Sequence, residues 1–447
     1  MQIQFIEIQN FRKLKSIRID FDKQTTVFVG ANNSGKTSAM VALGHFLIDN
    51  SRFTTNDFTL SNWSEINKIG KTWETPPVSG QTYSPDLSEW AAIVPTMDIW
   101  INVAPNEIHY VQHLMPTLKW NGGLLGVRMR LEPQKIQDLY KEFLLAREAS
   151  SNTIAEAKKL KGETAEYTLP LWPLDMGQFL ERKLNAHFEV KAYILDPTKL
   201  QLPSHGLANP QILPIDREPI SGNPFKGLIK INEIDAQRGF SDASSSNDSS
   251  DSYNTGGKRK LSDQLRSYYT RHIDPSETPE PSDIDALQAL HEAQNSFDQR
   301  LGTSFEAALA EIKDLGYPGV TDLELVLSTK IHPMDGLNHD SALKYKVRSN
   351  PDKEEGNHPC LPEQYNGLGY QNLISMVFRL MSFRDHWMQV GKSAKAVKTA
   401  NDFIPPLHLV LVEEPEAHLH VQVQQVFIRK AYSILRSHKD LGTNKNL

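Results

Sequence analysis

Cysteine is almost missing from this chain of 447 residues: Cys360 stands alone, so no intramolecular disulfide and no cysteine-based zinc site can form. That scarcity fits a reducing compartment, and a cytoplasmic protein is expected. Long apolar runs are also missing. No uninterrupted stretch is long enough to cross a bilayer, which excludes a helical membrane protein. The opening Met1-Gln2-Ile3-Gln4-Phe5 does not show the basic, apolar and small-residue succession of a secretory leader and reads instead as a strand. Excess positive charge is absent as well. A formal net charge of -6 argues against a globally basic nucleic-acid coat, though not against a local groove. Internal repeats are not evident. What remains is an ordinary globular composition, 39% hydrophobic and 23% charged, on a chain long enough for two or three structural units.

Against that plain background one stretch stands out, Gly30-Ala31-Asn32-Asn33-Ser34-Gly35-Lys36-Thr37. An apolar segment at 26–29 precedes it and reads as a strand; Ser38, Ala39, Met40 and Leu43 follow as the start of a helix. Glycines at each end let the backbone wrap closely, so that consecutive N–H groups point at phosphate oxygens, and the helix adds the positive end of its dipole. Lys36 is placed to reach the β- and γ-phosphates and Thr37 to hold Mg²⁺. The nucleotide-binding set is therefore Gly30, Asn32, Asn33, Ser34, Gly35, Lys36, Thr37 and Ser38, with ATP and Mg²⁺ as cofactors.

Upstream, Ile8-Gln9-Asn10-Phe11-Arg12 ends one alternating strand, and Ile17, Ile19 and Phe21 mark a second. An Ile-x-Asn-Phe-Arg opening followed by a Gly-x-Asn-x-Ser-Gly-Lys-Thr loop resembles the ABC-type ATPases related to SMC and double-strand-break-repair proteins, and within them the OLD (overcoming lysogenisation defect) family. That resemblance implies an α/β fold, an ABC-type P-loop ATPase head with a mixed sheet and an inserted helical arm. It also implies that Arg12 approaches the nucleotide phosphates from the side.

Between the two halves of the site, 51–58 reads as polar loop and 62–87 as an irregular insertion. Strands are predicted within 90–103 and at 124–131, 188–194 and 228–234, and a helix at 136–157. Lysines 158, 159 and 161 read as a solvated helix end. The segment 235–239, with Arg238, is either an arginine-bearing element of the OLD type or a plain strand exit. Residues 241–257 are too rich in Ser, Asp, Asn and Gly to offset the cost of ordering, and disorder is expected there. Lys258-Arg259-Lys260 reads as solvated charge. Helices are predicted at 261–272 and 284–312, where apolar residues from Leu287 to Ile312 recur at spacings of three, four and seven. That arm suits dimerisation or packing on the head equally well.

Strands at 322–327 and 342–347 lead to Asn366-Gly367-Leu368-Gly369 and an apolar helix through Ile374, Val377, Phe378, Leu380 and Met381. Glycines before a helix make a second anion cradle. Its position resembles the ABC signature in divergent form, which implies that Asn366, Gly367 and Gly369 contact the γ-phosphate held by an opposite subunit. The apolar run 407–412 then ends in Glu413-Glu414-Pro415-Glu416-Ala417-His418-Leu419-His420. A buried strand ending in two acids brings carboxylates beside Mg-ATP. By resemblance Glu413 takes the magnesium side, and Glu414 is the general base that polarises the attacking water. His418 and His420 could chelate a metal but suit an interface turn better, since no third ligand can be named. Asp20 with Asp22 and Asp283 with Asp285 read as solvated carboxylates.

Three segments are thus expected: 1–235, an N-terminal lobe with its insertion; 236–320, linker and helical arm; and 321–447, a C-terminal lobe with signature and acidic strand. A helix at 421–437 would be followed in such heads by a strand ending in a switch histidine, and OLD proteins add a TOPRIM nuclease domain; both are expected beyond 447. The reading is an ATP-hydrolysing homodimeric or higher-order module of an OLD-type endonuclease that gates cleavage of nucleic acid, DNA by preference, in antiphage defence, with a possible defence-system partner and no membrane. The alternatives are an SMC-like nucleotide-sensing clamp that regulates a separate nuclease or effector, and a small-molecule P-loop kinase with no use for the signature-like loop.

Overall fold

The computed structural model describes residues 1–31, 34–75, 84–161, 172–204, 207–214, 217–234, 265, 268–269, 284–314, 344–346, 360–362, 368–390, 404–417, 419–438 and 442–443. These divide into two compact units. The first comprises Met1–Glu233 with Pro405–Glu413, and the second Ile234–Ile404 with Glu414–Leu447.

Unit one is built on a five-stranded sheet in the order β2-β1-β3-β4-β5, with β1 Gln2–Phe11, β2 Leu14–Asp20, β3 Thr96–Val103, β4 Gly123–Pro133 and β5 Phe188–Leu195. Every neighbouring pair is antiparallel. Alternation decides which side faces the core. Ile8 lies opposite Ile17 and Met97, Met97 opposite Met129, and Met129 opposite Ala192, so one face is an apolar row across all five strands. Helices close over the core: α1 Lys36–Leu47, α2 Trp63–Glu74, the short α3 Ser88–Ala91, α4 Ile136–Lys161 and α5 Met176–His187. Large aromatics fill the space, with Trp73 edge-on to Phe143 and Trp90 edge-on to Phe188.

The same register sets a polar row on the opposite face. Arg18, Glu7, Asp98, Arg128 and Tyr193 lie side by side on β2, β1, β3, β4 and β5. Arg128 donates through Nε and Nη2 to both oxygens of Asp98, at 2.7 Å each, and both residues are buried. A smaller apolar group of Phe5, Trp100 and Leu195 flanks the row.

A short pair, β6 Ile229–Ile234 with β9 Leu407–Val412, completes unit one. In unit two, β7 Lys344–Lys346 pairs with β8 Cys360–Pro362, and the helices are α6 Ile284–Asp314, α7 Leu368–Met388 and α8 Val421–Arg436.

Three expectations need correction. No strand ladder includes 26–29: Phe28 packs on the core, while Val27 and Val29 are 58% and 89% exposed. The insertion at 62–87 is not irregular throughout, because α2 buries Ile66, Ile69, Gly70 and Trp73, spaced i, i+3, i+4 and i+7. Residues 51–58 are not open loop but successive tight turns, Asn50–Arg52 and Thr55–Asp57. The helix α5 has no counterpart among the sequence expectations; Asp175 caps it by accepting from the Gln178 N–H at 2.9 Å. The predicted stretches 241–257, 258–260 and 322–327 lie outside the described residues, as does most of 261–272.

Candidate functional site

The phosphate-type loop leads directly into α1, with Gly35 at its N-cap in the left-handed region at φ 98°. A β-carbon is disfavoured there, and one on Gly35 would also come within 2.9 Å of Leu14 Cδ2. The loop end is thereby seated against the start of β2. No acid occupies the first turn of α1, so the positive end of the helix is not neutralised from within. Lys36 Nζ donates to the carbonyls of Gly30 and Ala31, at 2.6 and 2.9 Å, which folds the ammonium back over the loop. Thr37 is exposed in the same turn and Ser38 is half-buried. This donor set, an ammonium, backbone N–H groups and a hydroxyl, suits a triphosphate with its metal. Asn32 and Asn33 lie outside the described residues.

Arg12 sits in the β1–β2 turn next to that loop, in the stretch that carries Leu14. Its backbone is left-handed at φ 49°, and Asn10 before it at φ 55°. Such a turn costs about 1 kcal/mol or more for each non-glycine residue and persists only where its surroundings enforce it. Here the 54–62 segment enforces it. Arg12 N–H donates to Asp57 O at 2.8 Å and Thr59 N–H to Asn10 O at 3.2 Å, while Phe11 bridges Phe58. The Asp57 carboxylate, wholly buried, accepts from Arg12 Nε at 2.8 Å and from the Thr54 N–H at 2.8 Å. His45, from the last turn of α1, places Nδ1 at 3.5 Å from the same carboxylate. Burial holds the His45 pKa below its ordinary value, against the pull of Asp57, so the ring is neutral near pH 7. Asp57 and His45 were not singled out from the sequence; the only signal was an acid closing a Thr-x-x-Asp capping pattern.

The acidic strand reaches the same helix by a different route. β9 pairs with β6, and His408 Nε2 lies 2.9 Å from Asn232 Oδ1 across the pair. One residue further along β6, Glu233 lies over α1 so closely that a β-carbon on Gly44 would collide with its Oε1. Arg52 Nη1 donates to Glu233 Oε2 at 3.1 Å and fixes that carboxylate. Unit one thus joins the phosphate-type loop, the Arg12 turn and the strand that ends at half-buried Glu413 through a single helix.

In unit two, Glu414 is exposed and left-handed at φ 43°, an uncommon backbone for a carboxylate residue. The turn it opens closes through Ala417 N–H to Glu414 O at 3.0 Å. Buried Asn372, on α7, donates to Ala417 O at 2.7 Å and ties that helix to this turn. Nothing in the sequence had marked Asn372. Gly369 lies inside the first turn of α7, not before the helix as the spacing suggested, because the helix starts at Leu368. Asn366, Gly367, Arg238 and His418 are outside the described residues. His420 caps α8, accepting from the Gln422 N–H through Nδ1 at 3.4 Å, and among the described residues no group of three or more His, Cys, Asp or Glu could hold a metal. No described helix is long and apolar enough to cross a membrane.

Comparison with known proteins agrees with this chemistry. Endonuclease GajA of Bacillus cereus (strain HuB5-5) is 21% identical over 457 residues, taking in 100% of this chain and 54% of that protein. DNA replication and repair protein RecF of Clostridium tetani is 34% identical over 71 residues, 16% of this chain and 19% of that protein. The RecF of Clostridium kluyveri is 38% identical over 63 residues, or 14% and 17%. The chain spans about half the length of the endonuclease it matches throughout. The full-length match agrees with the OLD-type resemblance of the motifs. A family model described as AAA ATPase domain matches residues 1–440, and the chain belongs to that family of P-loop ATPases.

Proposed function

We propose that this ATPase acts as the dimeric, nucleotide-gated module of an OLD-type endonuclease, controlling cleavage of DNA in antiphage defence from the cytoplasm. Mg-ATP is held by Lys36, Thr37 and Glu413, with Arg12 at its side and Glu414 as the general base. The observation that carries the reading is the convergence on α1: the loop at its start and Glu233 of β6 at Gly44, with β6 paired to the strand of Glu413. Gly369, with Asn366 and Gly367, serves the γ-phosphate on a second subunit, and the helical arm in 236–320 joins the copies. The signature half belongs to 321–447 and the loop half to 1–235. The endonuclease named among the relatives supports the nuclease assignment.

A second reading is favoured by the RecF matches: a clamp that senses nucleotide and regulates a separate effector. Steady-state turnover separates the two. Glu414→Gln should keep ATP binding and slow hydrolysis by at least about a hundredfold, the scale of a lost general base. Lys36→Ala should weaken ATP binding itself. Hydrolysis unchanged in Glu414→Gln removes that residue from its role, and negligible turnover in the unaltered protein favours the clamp.

A further inference from the structure

Arg12 is useful to a phosphate only if its guanidinium is aimed, and an arginine on a turn has several rotatable bonds to immobilise. Two features remove that freedom. The left-handed backbone at Asn10 and Arg12 points the turn, with wholly buried Phe11 between them as its anchor against His45 and Phe53. The Asp57 carboxylate then takes Nε, and its own carbonyl takes the Arg12 N–H, so one residue grips both the main chain and the side chain of Arg12. Asp57 is itself rigid: it is wholly buried and bonded to the Thr54 N–H and hydroxyl, and it lies between the Arg12 turn and His45 on the helix that opens at Lys36. A guanidinium fixed at Nε can turn only about that anchor, which sets the direction of Nη1 and Nη2. The adjacent contact is Leu14 against Gly35, two residues along from Arg12, at the end of the phosphate-type loop.

We propose that Asp57 is the positioning residue for Arg12, locking it in the attitude that receives a phosphate oxygen of ATP. This rests on the ATP site described under Proposed function.

The test is calorimetric titration of the full chain with magnesium and a non-hydrolysable ATP analogue, alongside thermal unfolding. Asp57→Asn and Arg12→Ala should each weaken binding about tenfold, the size of one charge-assisted hydrogen bond. The double variant should bind no more weakly than Arg12→Ala alone, since Asp57 acts through Arg12. Arg12→Lys keeps the charge but has no Nε for Asp57, and should resemble Arg12→Ala; it provides the same test should Asp57→Asn fail to fold. The proposal is overturned by wild-type affinity in Asp57→Asn or Arg12→Lys, or by an Asp57→Asn loss that persists in full in the Arg12→Ala background. If Lys36→Ala weakens binding and Arg12→Ala does not, the Arg12–Asp57 assignment alone fails; if Lys36→Ala has no effect either, the ATP site itself is misassigned.

Discussion

Glu7 is a carboxylate set in the buried polar row of the sheet, with Asp98 opposite it on β3 and Arg18 on β2. Arg128 spends its fork on Asp98, and Glu7 Oε1 accepts no hydrogen bond among the described residues. Burial first, and the Asp98 charge second, push the Glu7 pKa up to about 7, against the pull of Arg18 and Arg128. The linkage follows from the sign of that shift. The folded state holds the Glu7 proton more tightly than the unfolded chain, whose value is 4.5, so stability declines as pH rises from 4.5 to about 7 and then levels off. Above that window the ionised, buried carboxylate costs on the order of 3 kcal/mol. Glu7→Gln, which is neutral and isosteric, should therefore raise stability to denaturant at pH 8 and change little at pH 4.5. Equal effects at both pH values would show that Glu7 is solvated in the folded protein. Near the candidate site the same physics acts in the other direction, since burial keeps His45 neutral and leaves Asp57 to Arg12.

At the level of elements, α1 is the piece on which the site depends, and Gly44 is where its packing can be tested. The Glu233 carboxylate lies against Gly44, and Arg52 holds it there from a partly exposed position. Gly44→Ala would displace only the flexible end of Glu233, losing an ion pair worth up to about 1 kcal/mol and gaining a similar amount of helix propensity. Its unfolding temperature should stay close to wild type. Gly44→Phe cannot be accommodated in that way and should cost about 1–3 kcal/mol by overpacking, with a fall in ATP turnover as β6 and β9 are pushed from the helix. Wild-type stability in Gly44→Phe would show that α1 is not seated on β6. Much of this architecture was legible beforehand. The strands β3, β4 and β5 alternate cleanly, and the phosphate loop and the Glu413 strand carry local motifs that need no tertiary context. What was not legible depended on distant partners. The periodicity of α2 was obscured by its Ser, Thr, Gly and Trp content, and 26–29 looked like a strand because apolar composition does not reveal whether a ladder partner exists. Asp57, Gly44 and Asn372 acquire meaning only from residues 45, 189 and 45 positions away in the chain, Arg12, Glu233 and Ala417.

For the whole molecule the decisive question is whether one chain suffices for turnover. The signature-like glycine, Gly369, lies in the first turn of a helix of unit two, and Lys36 starts a helix of unit one. The OLD-type reading has each loop completed by the signature of a second copy, whereas a small-molecule P-loop kinase would complete its site alone. On that reading two copies, each with a net charge of -6, repel one another until bound nucleotide bridges them, and salt should ease association by screening over roughly 8–10 Å. Light scattering of Glu414→Gln should therefore show a mass near the single-chain 50.5 kDa without nucleotide and a shift towards twice that with Mg-ATP at about 0.15 M salt, more weakly at 0.01 M. Gly369→Trp in the same background should abolish the shift while the monomer still binds ATP. A monomer under every condition, or turnover per chain that does not depend on protein concentration, would overturn the trans-acting signature and favour the self-contained site.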